Sequence, residues 1–236
     1  MNAQEGMIFL IDKPYTWTSF DVVNKIRWAL KRKLGVKKIK VGHAGTLDPL
    51  ATGLLILCVG RATKQIEKFM ADEKEYTGTI LLGKSTPSFD LETAYNEEKN
   101  LANITSEMLE NVRLSFIGQQ LQTPPIFSAK KIDGKRAYDI ARSGKTPEMK
   151  RNLIEISAFD IDSSRFPEID FRVVCSKGTY IRSLAHDFGK RLDSLATLIA
   201  LRRTRIGDFH VKDAIPAEDL YNEILNSVNA LSKPSL

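Results

Sequence analysis

Gly42-His43-Ala44-Gly45-Thr46-Leu47-Asp48-Pro49-Leu50-Ala51-Thr52-Gly53-Leu54-Leu55 is the stretch from which the rest of the chain is read. A basic segment leads into it and an apolar run, Leu54 to Val59, leads out. Between them lie three glycines, one histidine and one carboxylate. Glycine admits backbone conformations closed to other residues and lets a ligand approach closely. Pro49 fixes its own φ and biases Asp48 toward an extended conformation. The pattern presents Asp48 on a stiff bend among small residues. Residue by residue, Asp-Pro and Gly are also ordinary turn formers, and Asp48 could simply cap the next turn or helix.

Composition narrows the setting. A chain of 236 residues with 42% hydrophobic content can bury a real core. The net charge of +6 favours an acidic partner such as nucleic acid, although charge alone is weak evidence. Cys58 and Cys175 stand far apart in apolar runs and read as small core residues rather than a disulfide framework. His43, His186 and His210 show no metal-ligand spacing, so no metal site is expected. The N-terminus lacks the apolar region of a signal peptide, and no run approaches the roughly 20 apolar residues of a membrane span. A reducing cytoplasm is the expected compartment, with no membrane partner. There is no internal repeat, linker or low-complexity tract.

Outward from the loop, Met7 to Ile11 reads as a buried strand. Thr18 or Ser19 caps a helix whose apolar stripe is Val22, Ile26, Leu30 and Leu34, with Asp21 suited to its first turn. Arg27, Lys31, Arg32 and Lys33, followed by Lys37, Lys38 and Lys40, form a solvated face or a track for phosphates. Leu54 to Val59 is a strand, and Thr63 to Met70 a helix turning Ile66, Phe69 and Met70 inward. Tyr76 to Leu82 alternates as a strand. Thr93 to Asn103 reads as loop, and Ser106 to Phe116 as a helix with Met108, Leu109 and Val112 inward. Asp133-Gly134 is a turn signal, with a helix expected over Ala137 to Arg142. Leu153 to Ile161 and Glu168 to Cys175 are strands around a turn at Ser163 to Pro167. Thr179 can cap the next helix, on which Ile181, Leu184, Ala185 and Phe188 share one face. An arginine in the first turn is unfavourable for the helix dipole, so Arg182 calls for an anionic partner. A mere surface pair there would be worth under about 1 kcal/mol. Leu195 to Gly207 is a helix end or a strand with a basic tail, and Ile215 to Leu231 a last helix.

Taken whole, the opening stretch resembles the catalytic motif of the TruB family of pseudouridine synthases, G-H-x-G-x-L-D-P-x-A-x-G. Further motifs in the same order strengthen the resemblance over about Met7 to Gly207. They are D-K-P-x-x-x-T-S at Asp12, K-x-Y at Lys74, and P-P-x-x-S-A-x-K-x-x-G-x-x-A-Y at Pro124. S-K-G-T-Y-I-R-S-L at Ser176 and L-x-R-T-x-x-G at Leu201 complete the set. One segment departs from it. Where many members carry T-D-T-x-D, this chain has Pro87 in place of the first aspartate and keeps Asp90, so no catalytic role is assigned there.

The resemblance implies an α+β pseudouridine synthase fold. A mixed, mostly antiparallel central sheet is flanked by helices, with an inserted RNA-binding thumb over about 122–150. It implies one catalytic domain over 1–236, with a short tail at 208–236 and no room for a C-terminal RNA-binding (PUA-type) module. The implied activity is isomerisation of uridine 55 in the T-loop of transfer RNA, by base flipping, with no cofactor. The implied partner is the T-arm stem-loop, met by a monomer.

The catalytic aspartate falls on Asp48, and the flipped base's vacated space on His43. Tyr76, Tyr180, Arg182, Leu201 and Lys13 belong to the substrate-base pocket, with Arg182 paired to Asp48. Tyr76 has two readings, core packing or stacking on the target base; the K-x-Y match favours stacking. Lys130, Lys131, Lys135 and Arg136 are expected on RNA. Arg202 and Arg203 are expected on phosphate or simply in solvent. Two rival readings are the same chemistry on a uridine of another RNA, and a non-catalytic RNA-binding protein.

Overall fold

A computed structural model describes residues 6–128, 131–132, 135–136 and 149–226. In chain order it contains β1 (Met7–Lys13), α1 (Ser19–Leu34), β2 (Val41–His43), β3 (Ala51–Val59), a 3-10 helix (Gly60–Gln65) and α2 (Ile66–Ala71). Next come β4 (Lys74–Leu82), β5 (Lys84–Ser85), β6 (Glu97–Glu98), α3 (Ser106–Ser115), β7 (Gly118–Gln122), β8 (Lys131–Ile132) and β9 (Lys135–Arg136). The remainder is β10 (Asn152–Arg165), β11 (Glu168–Cys175), α4 (Ile181–Arg191), β12 (Ala196–Ile206), β13 (Phe209–His210), a 3-10 turn (Val211–Asp213), β14 (Ile215–Pro216) and α5 (Ala217–Asn226). The chain divides into two compact units, Met1–Lys74 with Arg202–Leu236, and Glu75–Leu201. It passes from one to the other inside β4 and returns inside β12.

In the first unit the sheet order is β14-β1-β3-β12, with β2 also on β3 and β13 on β12. β1 pairs antiparallel with β3 from Met7↔Val59 to Lys13↔Gly53, and β14 joins β1 in parallel. The Leu54–Val59 run is apolar throughout because β3 is covered on both faces. Side chains alternate along a strand. Leu55, Leu57 and Val59 therefore pack with Val22, Ile26 and Leu30 of α1 and Leu220 and Ile224 of α5. Leu54, Ile56 and Cys58 pack with Ala44, Ala62, Phe69 and Ile206 on the other side.

α1 starts as its sequence requires. Thr18 and Asp21 form a reciprocal capping box, and Gly35 ends the helix at φ 63°. Lys74 ends α2 by donating to the Phe69 and Met70 carbonyls. Two expectations fail in this unit. Met70 is exposed rather than inward, because Phe69 and half-buried Ile66 take the inward face of so short a helix. Ile215-Pro216 is a strand rather than the start of a helix, since its backbone pairs with Ile11 and Asp12 before α5 begins. Residues 227–231 of the expected helix lie outside the described residues.

In the second unit the order is β12-β4-β11-β10-β7. β10 pairs antiparallel with both β11 and β7. α3 and α4 bring Leu109, Leu184 and Phe188 to an aromatic core in which Phe159 meets Phe116, Phe171 and Phe188 edge-on. Met108 is exposed, contrary to expectation, while Leu109 next to it is buried. Glu97–Glu98, expected within a loop, pairs with Lys84–Ser85. β12 resolves the ambiguity over Leu195 to Gly207 in favour of a strand. Lys131–Ile132 pairs antiparallel with Lys135–Arg136, as the Asp133-Gly134 signal implies. The helix expected over Ala137–Arg142 lies outside the described residues, as does most of the inserted thumb expected over about 122–150.

Candidate functional site

Asp48 sits half-buried in the connection between β2 and β3. The connection is fastened at several points by groups distant in sequence. The Asp48 carbonyl accepts from the Ala51 N–H at 3.1 Å, closing a turn over Pro49-Leu50. One residue earlier, the Ser19 hydroxyl at the start of α1 accepts from the Leu47 N–H at 2.8 Å and donates to the Leu47 carbonyl at 3.1 Å. On the other side, Arg203 of β12 donates to the carbonyls of Leu54 (2.7 Å), Gly45 (3.1 Å) and Thr46 (3.4 Å). The chain must come very close to β12 to allow this. At Gly53, with φ 101°, an added Cβ would lie 2.3 Å from the Arg203 carbonyl oxygen, so glycine is required there.

Lys13 completes the fastening. It is fully buried at the end of β1, and its ammonium donates to the carbonyls of Pro14 (2.9 Å), Trp17 (2.5 Å) and Pro49 (3.3 Å). Burial lowers its pKa to about 8; the Asp48 charge opposes that shift and Arg203 adds to it. Lys13 is therefore cationic at neutral pH and faces the loop from below. His43 ends β2, and burial pushes its imidazole below the ordinary value, so it is neutral at pH 7.

The two arginines expected on phosphate or in solvent are both engaged within the first unit. Arg203 is only 1% exposed and serves the loop, so its guanidinium is not presented for a phosphate contact. The reason is strand alternation. Arg203 faces inward and its neighbour Arg202 outward. Arg202 forms a two-pronged pair with the Asp12 carboxylate at 3.0 and 2.6 Å. Asp12, quoted in the D-K-P motif and given no role there, is the partner that the sequence reading did not assign.

In the second unit Arg182 is buried in the first turn of α4 and has the anionic partner its position calls for. Its Nε lies 3.5 Å from Asp90 Oδ2, and it donates to the Ser88 carbonyl at 3.2 Å. The segment given no role thus supplies a carboxylate to a predicted site residue. Pro87 occupies the second position of a turn closed by Phe89 N–H to the Thr86 carbonyl at 3.1 Å, where its fixed φ is favourable. Thr86 and Ser88 hydroxyls both donate to the Asp90 carbonyl, at 2.6 and 3.1 Å. Phe89 adopts φ 65°, a strained conformation for so bulky a residue, and stacks on His186 at 3.9 Å between ring centroids. The Leu198 N–H holds the Phe89 carbonyl at 2.9 Å.

Tyr180 precedes α4, its backbone clamped by the Gln122 amide. Gln122 accepts from the Tyr180 N–H at 2.8 Å and donates to its carbonyl at 3.0 Å. Ser183 likewise donates to the Thr123 carbonyl at 2.8 Å. The start of the 122–150 segment is thereby tied to the helix that carries Arg182. Tyr76 is buried in β4 and Leu201 half-buried in β12.

The structure therefore groups Asp48, Lys13, His43, Arg202 and Arg203 in one unit, and Tyr76, Tyr180, Arg182 and Leu201 in the other. Lys130 and the side chains of Lys131, Lys135 and Arg136 lie outside the described residues. Among the described residues, no three His, Cys, Asp or Glu side chains come together to hold a metal ion. No described helix is long and apolar enough to cross a membrane.

Residues 31–181 match the model of the TruB family pseudouridylate synthase N-terminal domain, and 182–233 that of the tRNA pseudouridylate synthase B C-terminal domain. A protein of Phocaeicola vulgatus named tRNA pseudouridine synthase B is 54% identical over 92% of this chain and 93% of its own length. One of the same name from Flavobacterium johnsoniae is 52% identical over 89% of this chain and 93% of its own. Among solved structures, a chain of a Cbf5-Nop10-Gar1 complex is 28% identical with a TM-score of 0.69. The match covers 93% of this chain and 54% of that one, so this chain spans about half its length.

Proposed function

The chain belongs to the TruB family of pseudouridylate synthases, and from that premise we propose that it isomerises a uridine of transfer RNA, position 55 in the T-loop, to pseudouridine. The observation that carries this reading is the fastening of the Asp48 loop. Arg203, Ser19 and Lys13 bind its backbone, so the residue that carries the carboxylate stands on a rigid support. A reacting group on a rigid support is already positioned when the substrate arrives.

The reaction breaks the bond between the sugar C1′ and uracil N1 and forms one between C1′ and C5. The C5 hydrogen leaves as a proton and N1 gains one, so the composition is unchanged and no redox partner is needed. Asp48 is the nucleophile or base that starts it. The uridine must leave its stacked position, at a cost of a few kcal/mol. His43, neutral and on the same support, fills the vacated space; Tyr76 stacks on the flipped base; Tyr180 and Leu201 complete its pocket. Arg182 is the partner of the Asp48 carboxylate in this reading, argued from the Ser176–Leu184 motif, with Asp90 orienting the guanidinium. Lys130, Lys131, Lys135 and Arg136 contact the T-arm from the inserted 122–150 segment. The protein acts as a single catalytic domain and a monomer in the cytoplasm.

The test is pseudouridine mapping on an unmodified transfer RNA transcript. Wild type is expected to modify position 55, and Asp48→Asn to bind the transcript yet leave it unmodified. Normal turnover by Asp48→Asn would overturn the assignment. Modification at a different uridine would keep the chemistry and replace the site.

A further inference from the structure

A cleft of about 450 Å³ lies in the first unit, lined by Arg27 and Lys31 of α1 and by Lys37, Lys38, Ile39 and Lys40 of the connection to β2. Lys31, Lys37, Lys38 and Lys40 are all exposed, and none of their ammonium groups pairs with a carboxylate among the described residues. The unneutralised charges around one cleft repel one another. The dipole of α1 accounts for a cation such as Lys31 in its last turn. It does not account for Lys37, Lys38 and Lys40, which lie beyond the Gly35 cap.

The cleft is also built, not merely charged. Arg27 donates to the Val41 carbonyl at 3.0 Å, which ties α1 to the start of β2, and the Lys40 carbonyl accepts from the Gly60 N–H at 2.9 Å. Half-buried Ile39 gives it a partly apolar lining. At its edge the exposed Phe20 ring lies 5.9 Å from the Arg27 guanidinium. Cations that follow a backbone beside an exposed aromatic are the arrangement that binds nucleic acid. β2 runs from this cleft directly into His43 and the Asp48 loop, at about 3.3 Å per residue.

We propose that this cleft binds the phosphodiester backbone of the substrate RNA, as an anchor separate from the base pocket and from the 122–150 segment. The proposal rests on the reading of the chain as an RNA-modifying enzyme. It adds a second place where the RNA is held, close in sequence to the loop that carries Asp48.

The experiment is equilibrium binding of the full chain to an unmodified transfer RNA transcript from about 50 to 200 mM salt. Wild type is compared with Lys31→Gln/Lys37→Gln/Lys38→Gln/Lys40→Gln and with the corresponding four-fold Lys→Arg protein. The glutamine protein is expected to bind at least tenfold more weakly at the low-salt end. Its slope of log affinity against log salt should be shallower by about 0.7–0.9 for each phosphate that is no longer neutralised. The arginine protein should restore both. An unchanged slope and affinity in the glutamine protein would overturn the proposal, as would failure of the arginine protein to restore them. Preferential capture of phosphatidylserine vesicles over RNA by wild type would overturn it in favour of a lipid surface. The assay does not require turnover, so a wild type that binds by this slope but makes no pseudouridine would refute the isomerase reading and leave the anchor standing.

Discussion

Arg203 and Arg182 are buried to a similar degree, but they bind different kinds of acceptor. Arg203 donates to three backbone carbonyls of the Asp48 loop and its continuation into β3. Arg182 is held by the Asp90 carboxylate and the Ser88 carbonyl, both from the Thr86–Asp90 turn. Backbone carbonyls are present whatever side chains the loop carries, so apart from the glycine required at position 53 the Arg203 arrangement constrains conformation more than sequence. The Arg182 arrangement depends on a titratable side chain in a strained turn, so a single substitution can change it. The first unit has a scaffold built around its loop; the second has an adjustable cation.

The comparison can be broken most directly at Arg203. Arg203→Met leaves buried carbonyls without donors, at about 1–3 kcal/mol for each. A loss of about 4 kcal/mol or more is expected in urea denaturation. Arg203→Lys should recover only part of it, because an ammonium cannot reproduce the guanidinium fork. A loss below about 1 kcal/mol would remove the scaffold role. Next in size is Asp90→Ala. Removing one partner of a buried ion pair costs about 3 kcal/mol, and Asp90→Asn should cost less by keeping a hydrogen bond to Glu92 N–H. A loss near zero in Asp90→Asn would show that charge is not what holds Arg182.

Phe89→Gly sharpens the comparison from the other side. The substitution relieves the positive φ, worth about 1–3 kcal/mol, and loses the stack on His186, worth about 0.5–1.5 kcal/mol. The two ranges give a net change between about 0.5 kcal/mol of destabilisation and about 2.5 kcal/mol of stabilisation, and a destabilisation well beyond that would mean that the turn is not strained. The smallest effect concerns pH. Burial lowers the folded-state pKa of both His43 and His186 below the ordinary histidine value. The unfolded chain therefore binds more protons, and the stability each contributes is present above the unfolded pKa of about 6.5 and lost as pH falls below it. His43→Gln and His186→Gln should each flatten the acid limb of a stability–pH profile; a steeper limb in either would reverse the sign assigned here.

Local pattern carried most of the secondary structure. The capping box at Thr18 and Asp21, the β3 run and the paired strands of Glu168–Cys175 were legible because each depends on neighbours within one turn or one strand. Where the pattern was weak, the reading failed. Leu201 to Arg205 contains three arginines and no apolar alternation, so nothing in it says which arginine faces inward. Met70 and Met108 stand beside Phe69 and Leu109, and a short apolar pair does not reveal which member is covered. The Arg182 requirement for an anion was legible from the helix dipole. Asp90 as one supplier was not, because that carboxylate comes from a turn remote in sequence.

By itself the sequence determined where a carboxylate, its glycines and its proline would form a stiff bend, and the family that arrangement resembles. These are short-range consequences of backbone sterics and side-chain period. Only the tertiary structure decided that the bend is held by Arg203, Ser19 and Lys13, that Arg202 pairs with Asp12, and that Asp90 meets Arg182. Each of these contacts joins groups far apart along the chain. A buried cation takes whichever acceptor the packing brings within hydrogen-bond reach, and that choice is made when strands and helices assemble, not by the residues beside it.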